Sequence, residues 1–275
     1  AGERLALEGG LRRAIAQNEF LLHYQPKVDL RTGNITGVES LIRWRHPDHG
    51  IVPAAPFIRV AEQCGLIVPI GRWVLDEACR QARAWLDAGL PVIPIAVNAS
   101  ALELAKAGFV DNVRSTLAAF GLEPSCLELE LTETYLAQEP NLIGGAFQEL
   151  KSLGVQLAFD DFGTGFASLS CLRRLPVDAL KIDQSFVRNL PSNDDDASIV
   201  IAMITMGRGL HLRVIAEGIE TRRQLTFLRK HNCLEGQGYY FSRPVAADEF
   251  AVLLSRRFAI RPALVPAPAA HRPMD

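Results

Sequence analysis

The sequence predicts an α/β fold, a TIM-like (β/α)8 barrel whose first strand runs antiparallel to the others. Eight segments of strand character recur along the chain, and helical segments with amphipathic spacing separate most of them. Only a short turn (residues 29–34) separates the first two strands, and a turn of that length cannot make the crossover that parallel strands need. A doubly wound open sheet is the alternative architecture.

The predicted elements follow one another in a regular order. Runs of apolar residues bounded by turn residues predict strands over residues 20–28, 35–44, 92–98, 126–133, 155–160, 179–183, 212–217 and 233–241. Apolar residues at i, i+3 and i+4 predict helices over residues 71–89, 109–121 and 199–209. Three aspartates at 194–196 suit a helix N-terminus, where negative charge is favoured. A loop with proline and glycine is predicted to carry His46 and His49.

The length and composition fit one domain with a flexible end. The chain has 275 residues, of which 48% are hydrophobic and 22% charged, and this is typical of a globular protein with a sizeable core. Residues 1–257 are predicted to form the barrel, since barrels of ~250 residues commonly fold as one domain. Residues 258–275 are rich in proline and alanine and lack periodicity, so they are predicted to form a flexible tail.

The first residues, the apolar runs and the cysteines indicate the setting of the chain. The chain begins in helix-like sequence that is no secretory leader, so we expect a domain of a longer protein with sensory or cyclase domains upstream. No apolar run approaches the ~20 residues of a membrane-spanning helix. Five dispersed cysteines without a C-x-x-C pair indicate reduced thiols. We therefore expect a cytoplasmic domain. The same location is expected if the domain belongs to a larger protein that is bound to a membrane.

The charge balance excludes one class of partner. Twenty-nine basic and 31 acidic residues give a formal net charge of −2. Such a chain lacks the broad basic field that polymeric nucleic acids select. A small phosphate-bearing ligand held by local contacts is compatible with this balance.

Polar side chains mark the carboxyl ends of the predicted strands, the face on which α/β barrels build active sites. Glu39 lies within the second strand, and the ends of later strands carry Asn98, Glu130, Asp160, Asp161, Lys181, Glu217 and Gln237. A single acid at a strand end is more often a helix cap or a solvated loop residue. That simpler interpretation suits one residue but not the set. Glu130 alternates with leucines in LELELTE, so it is predicted to point into the barrel, where an unpaired carboxylate is costly.

The charges of this set predict bound cations. The set contains five acids and one lysine, namely Glu39, Glu130, Asp160, Asp161, Glu217 and Lys181. Their charges sum to −4, and the five carboxylates cannot all stay ionised near neutral pH without cations. Two divalent ions would bring the sum to zero. All-oxygen ligands, with the Asn98 carbonyl among them, favour Mg²⁺ or Mn²⁺ over zinc. Two ions ~4 Å apart suit in-line displacement at a phosphodiester, so the set predicts hydrolysis.

Eight motifs, taken in order, resemble those of the EAL domain family. They are YQPKVDL (24–30), ESLIRW (39–44), VNAS (97–100), ELTE (130–133), DDFGTGFASL (160–169), LKID (180–183), AEGIE (216–220) and QGYYFSRP (237–244). Each motif alone is weak, but their order and spacing match across about residues 3–257. The resemblance implies a barrel that linearises the bacterial second messenger cyclic di-GMP to pGpG with two ions of Mg²⁺ or Mn²⁺.

The resemblance also implies metal-binding and catalytic roles. The first metal would be held by Glu39, Asn98, Glu130 and Asp160, and the second by Asp160, Asp161 and Glu217. Glu39, Glu217 and Lys181 would be the catalytic residues. Glu217 is also a candidate general base, and Lys181 would orient the attacking water and offset charge.

Further roles concern the substrate and a loop. By resemblance, Gln25 and Arg43 would contact substrate, Arg43 through charge-assisted bonds to phosphate, and Gln237 would steady the site or the nucleotide. Glu133 would anchor a mobile loop over residues 161–170. In the family this loop lies near the dimer contact, so a homodimer is expected by analogy.

Three positions depart from the family pattern without removing a proposed ligand. Ser40 replaces the alanine of the name-giving triplet, Phe166 and Ala167 replace the more usual Tyr-Ser in the loop, and Pro56 stands where an acid is common. Pro56 is predicted to begin a helix, where proline is tolerated.

Two other functions are considered. A degenerate EAL domain would capture cyclic di-GMP as a receptor without cutting it. Such receptors typically lack metal ligands or the lysine, all of which are present here. A barrel glycosidase would need only two carboxylates and would leave Asn98 and Lys181 unexplained.

Overall fold

Within the described residues, eight strands close into a barrel and a further strand extends one of them as a hairpin. The structure is a computed structural model that describes residues 2–132, 140–165 and 175–255. The strands are β1 (Phe20–Asp29), β2 (Ile35–His46), β3 (Gly50–Pro53), β4 (Ile95–Asn98), β5 (Leu127–Thr132), β6 (Gln156–Phe162), β7 (Ala179–Ile182), β8 (Arg213–Ala216) and β9 (Glu235–Gly236). Their order in the sheet is β1-β9-β8-β7-β6-β5-β4-β2-β3. Because β1 also pairs with β2, the sheet closes.

The first strand is the one reversed member of the barrel, as predicted. β1 is antiparallel to β2 on one side and to β9 on the other. The remaining barrel neighbours, from β2 through β4 to β9, pair in parallel. A doubly wound open sheet is therefore wrong for this chain.

Helices surround the barrel. They are α1 (Gly2–Ala16), α2 (Ala55–Gln63), α3 (Ile67–Asp87), α4 (Ala101–Leu104), α5 (Phe109–Ala119), α6 (Pro140–Leu153), α7 (Gln184–Arg188), α8 (Asp194–Gly209), α9 (Arg222–Lys230) and α10 (Ala247–Leu254). The three aspartates do form the first turn of α8, whose N-cap Asn193 accepts from two backbone N–H groups. Pro56 stands in the first turn of α2, as predicted. Among the helices of the described residues, none combines the length and apolar character needed to span a bilayer.

The strands bury leucines on one side and polar residues on the other. In β5, Leu127, Leu129 and Leu131 belong to the large hydrophobic core, while Glu128 and Glu130 are buried between them in sequence. A separate small apolar cluster consists of Ala158, Ala179 and Ile215. Such strands are covered on both faces, as in other parallel sheets, but here the inner face carries charge.

Among the predicted elements that differ from those observed, three have a local explanation. β4 begins at Ile95, after Pro91 and Pro94, because proline has no N–H to give to a sheet. β9 ends at Gly236, not at residue 241, because the chain bends at Gly238 and turns over residues 239–241. A Cβ at Gly238 would lie 2.2 Å from the Ile219 carbonyl oxygen, so this approach of two backbone segments needs glycine. His46 is the last residue of β2 rather than part of a loop, whereas His49 does lie in the turn that leads into β3.

Candidate active site

The polar residues predicted from the sequence converge at the carboxyl end of the barrel. Carboxylate oxygens of Glu39, Glu130 and Asp160 lie within 4.8 Å of one another, and those of Asp160, Asp161 and Glu217 form a second such group. Asp160 is shared by the two groups. Strand pairing explains the convergence, since Asn98 lies opposite Glu130 in the parallel pair of β4 and β5.

A break in the regular pairing brings Asp160 and Asp161 to the same site. Consecutive residues of a strand normally point to opposite faces. Here Asp161 has a φ of 53°, in the left-handed region, and the register between β6 and β7 shifts between Phe159 and Phe162. Irregularities of this kind re-aim side chains. The Asp161 backbone N–H donates to Asp160 Oδ1 at 3.0 Å, which ties the two residues together.

Lys181 of β7 lies at the centre of the carboxylates. Its Nζ is 2.6 Å from Glu130 Oε2, and the other close oxygens belong to Glu217 (2.8 Å), Asp160 (3.0 Å) and Glu39 (3.4 Å). The side chain is fully buried. Burial alone would lower the pKa of Lys181, but the surrounding carboxylates raise it well above its usual value. The lysine is therefore charged and acts as an internal cation.

Two amides connect the acids. Gln237 Nε2 donates to Glu39 Oε2 at 2.5 Å and to Glu217 Oε1 at 3.2 Å, and Asn98 Nδ2 donates to Glu39 Oε1 at 2.9 Å. The other Gln237 side-chain atom, Oε1, is buried and has no hydrogen-bond partner among the described residues. Buried acceptors without partners are rare, so this atom indicates a missing donor or cation.

Above the acids lies a cleft of about 270 Å³ that is open to solvent. Gln25 and Arg43, predicted to contact substrate, line it together with Glu39, Asp160 and Glu217. Gln25 lies directly opposite Glu39 in the antiparallel pair of β1 and β2 and donates to the Ser242 carbonyl at 3.1 Å. The cleft therefore has a carboxylate floor and polar walls.

The mouth of the cleft carries an aromatic ring. Tyr239 lines the cleft and is half exposed. The guanidinium of Arg243 lies 4.3 Å from the centre of its ring, within the range of a cation–π contact.

Sequence reasoning missed a second layer of charge below the site. Lys27 of β1 contacts Glu128 and lies 2.5 Å from Glu130 Oε1. Arg213 of β8 contacts Glu128 from the other side. Glu128 alternates with the same leucines as Glu130 and so shares its face of β5, but the partners of Glu128 come from distant strands. Lys27 follows Gln25 by two residues and therefore lies on the same face of β1. This spacing was the signal in the sequence that Lys27 points into the barrel.

Part of the predicted site lies outside the described residues. These are Glu133, the predicted anchor of the loop, and residues 166–170 of the loop itself, including Phe166 and Ala167. Residues 258–275, the predicted tail, also fall outside. Their roles stay predictions.

The site has the charge and donors that divalent ions require. In the lower layer the charges of Lys27 and Arg213 balance those of Glu128 and Glu235. In the upper layer Lys181, together with the contact of Lys27 to Glu130, opposes the five predicted acids. Burial and neighbouring carboxylates raise the pKa of Glu130, Glu217 and Asp161, the last to about 7. The oxygen donors and the uncompensated negative charge could hold hard divalent cations.

Known proteins are similar to this chain over most of its length. A family model described as EAL domain matches residues 8–244. The bifunctional diguanylate cyclase/cyclic di-GMP phosphodiesterase MucR of Pseudomonas aeruginosa is 47% identical over 249 residues, which cover 90% of this chain and 36% of MucR. The cyclic di-GMP phosphodiesterase NbdA of the same organism is 44% identical over 267 residues, which cover 96% of this chain and 34% of NbdA. The chain thus spans about a third of the length of these relatives.

Solved structures share the barrel. The c-di-GMP complex of the PaMucR phosphodiesterase has a TM-score of 0.86 and 46% identity, and the match covers 89% of this chain and 99% of that one. The EAL enzyme Bd1971, in its cAMP- and cyclic-di-GMP-bound form, has a TM-score of 0.88 and 32% identity, with coverage of 92% and 69%. These likenesses confirm the predicted architecture.

Proposed function

The chain belongs to the EAL domain family, and from this premise we propose that it hydrolyses cyclic di-GMP to linear pGpG with two divalent ions. The observation that carries the proposal is the pair of three-carboxylate groups that share Asp160 at the floor of an open cleft. One ligand shared by two groups is the arrangement that a two-ion phosphodiesterase needs.

The proposed metal ligands are the members of the two groups, together with Asn98, which the family resemblance adds. Glu39, Asn98, Glu130 and Asp160 would hold the first ion, and Asp160, Asp161 and Glu217 the second. Oxygen donors of this kind suit Mg²⁺ or Mn²⁺. When bound, the ions supply stabilisation of charge on the phosphodiester oxygens and a lowered pKa of water.

Glu217 is the proposed general base. Burial and the Asp160 carboxylate raise its pKa well above the ordinary glutamate value, against the opposing effect of Lys181. Bound cations would lower this pKa again, so Glu217 would be ionised and could take a proton from the attacking water. Gln237 donates to Glu217 Oε1 and so fixes the direction in which this carboxylate points. Lys181 would offset negative charge and orient the water.

Substrate binding is assigned to the walls of the cleft. Arg43 offers a guanidinium to a phosphate of the substrate, and charge-assisted bonds of this kind are the strong ones. Gln25 borders the same cleft. The Tyr239 ring at the mouth offers a face on which a base can stack.

A receptor that binds cyclic di-GMP without cleaving it is the alternative. A receptor needs the cleft, but it gains nothing from five clustered acids, because their mutual repulsion works against an anionic ligand. The presence of every proposed metal ligand and of Lys181 therefore supports the enzyme.

The wider setting is also a proposal. Because the chain spans about a third of its curated relatives, we infer that it is the domain of a longer protein with sensory or cyclase domains. Residues 1–257 would be the phosphodiesterase barrel and residues 258–275 a tail. A bacterial second messenger as substrate implies a cytoplasmic domain. The homodimer expected by family analogy stays a prediction.

One assay tests the function. The purified chain is incubated with cyclic di-GMP and Mg²⁺ or Mn²⁺, and the products are separated by chromatography. We expect pGpG to accumulate, EDTA to stop the reaction, and excess Mg²⁺ or Mn²⁺ to restore it. Binding of cyclic di-GMP without cleavage in either metal would favour the receptor. Cleavage that survives EDTA would contradict a metal-dependent mechanism.

A further inference from the structure

We propose that Lys27 is a positioning residue that holds Glu130 from below, so that this carboxylate presents one oxygen, Oε2, to the metal site. The inference rests on the proposed function only in taking Glu130 as a metal ligand. It concerns a lysine of the barrel interior that lies outside the cleft and has no contact with substrate in the proposed mechanism.

Glu130 lies between two lysines. Its Oε1 is 2.5 Å from Lys27 Nζ, and its Oε2 is 2.6 Å from Lys181 Nζ. The Glu130 side chain has no exposed surface, so water cannot take the place of either lysine. Each oxygen therefore has its own cationic donor.

The two lysines differ in what else they contact. The other close oxygens around Lys181 belong to Glu39, Asp160 and Glu217, which are all proposed metal ligands. Lys27 instead divides its contacts between Glu130 and Glu128, which lies one layer below. Incoming cations compete with Lys181 for its carboxylates, whereas the contacts of Lys27 face away from the cleft.

Lys27 is itself held by the floor of the barrel. Glu128 is fixed by Arg213, whose Nη2 also lies 2.9 Å from Gln156 Oε1 and whose Nη1 lies 3.3 Å from Glu235 Oε2. Lys27 therefore touches Glu130 directly, whereas Arg213 contacts Glu128 and has no ion pair with Glu130. Partners behind a metal ligand fix its orientation, and their loss typically weakens metal affinity about 10–100-fold.

The test measures metal binding apart from activity. Mn²⁺ is titrated into the metal-free chain by isothermal calorimetry, and thermal unfolding is followed in EDTA. We expect Lys27→Met to weaken Mn²⁺ binding by about 10-fold or more, because the free Glu130 oxygen allows the carboxylate to turn. Arg213→Met is the matched control. It removes a partly buried cation from Glu128 but leaves both Glu130 contacts, so it should lower the unfolding temperature with little change in the Kd for Mn²⁺.

A second variant is included in case the loss of the buried Lys27 charge alone unfolds the chain. Lys27→Met combined with Glu128→Gln removes one positive and one negative group and still frees Glu130 Oε1. It should fold and should show the same weakened Mn²⁺ binding. A folded variant with the affinity of the unmodified chain would overturn the inference, and so would equal losses in the Lys27 and Arg213 variants. Failure of the charge-balanced variant to fold would also overturn it, since Lys27 would then serve the fold itself.

The outcome is separable from that of the proposed function. If the unmodified chain binds Mn²⁺ but leaves cyclic di-GMP intact, the phosphodiesterase proposal fails while the role of Lys27 is still measured by the titration. If the unmodified chain binds no Mn²⁺, the inference about Lys27 is overturned together with the metal site.

Discussion

Asp160 and Asp161 are adjacent in the chain, and oxygens of both carboxylates lie within 4.8 Å of each other and of Glu217. The left-handed backbone at Asp161 makes this possible by breaking the alternation of β6. Because Asn tolerates this backbone region nearly as well as Asp, the charge can be removed without disturbing the fold.

The first prediction follows from this geometry. We expect Asp161→Asn to fold normally and, in EDTA at pH 8, to unfold at the same or a higher temperature, because burial and the neighbouring Asp160 and Asp183 carboxylates make the Asp161 charge unfavourable there. The variant should lose turnover, and Mn²⁺ should stabilise it less than the unmodified chain. Thermal unfolding with and without Mn²⁺, next to a turnover assay, checks both effects. An unchanged Mn²⁺ effect would remove Asp161 from the ligand set.

Glu39 gives the second prediction. Glu39→Gln keeps the size of the side chain but removes a charge from the group that Glu39 forms with Glu130 and Asp160. Turnover should fall roughly 100-fold or more, since a metal ligand is lost. Glu77→Gln is a suitable control because Glu77 pairs with Arg80 on α3 away from the site, and such pairs contribute about 0–1 kcal/mol. Comparable turnover in the two variants would refute the assignment of Glu39.

The candidate site was largely predictable because strand ends meet in a barrel. Once the strands were placed by their apolar patterns, the acids at their carboxyl ends had to lie close together. The inward direction of Glu130 followed from alternation with leucines, and the pairing of Asn98 with Glu130 across β4 and β5 agrees with it. The antiparallel first strand followed from a turn too short for a crossover.

Other features depended on contacts that no local pattern records. Lys27 and Glu128 are 101 residues apart, so their pairing arises only when β1 and β5 face each other across the interior. The re-aimed Asp161 required a backbone conformation that is uncommon outside glycine and asparagine or aspartate. The early end of β9 depends on the turn after Gly238, where the backbone approaches Ile219 closely.

The third prediction concerns Lys181 as an internal cation. Lys181→Met should lower the free energy of unfolding in EDTA by about 3–5 kcal/mol, because four carboxylates then lack their central charge. Saturating Mg²⁺ should reduce this deficit, since cations replace the lost charge, although turnover stays low. Lys151→Met is the control, because its partner Asp178 is partly exposed and the loss should be about 1 kcal/mol or less in either condition. A deficit of the same size with and without Mg²⁺ would show that the metal does not share these carboxylates.

The fourth prediction uses a buried acid outside the metal ligand set. Glu103 caps α4 by accepting from the Ser100 backbone N–H and hydroxyl, and burial raises its pKa to about 7 despite these bonds. A folded pKa above the unfolded value of about 4.5 means that folding favours the protonated form. This contribution to stability is complete below about pH 4.5 and is lost as the pH rises through about 7.

Glu103→Gln should therefore be close to the unmodified chain in stability at pH 5 and more stable at pH 8. The amide oxygen of glutamine can accept the same bonds from Ser100 but carries no charge to bury. The gain at pH 8 should be on the order of 1–3 kcal/mol, from about 1.4 kcal/mol for each unit of pKa shift. Urea unfolding at both pH values in EDTA measures it. Glu8→Gln is the control, because it alters a surface pair with Arg12 and should show no such pH dependence. An equal effect of Glu103→Gln at both pH values would contradict the prediction, since the buried carboxylate would then be already neutral or already well solvated.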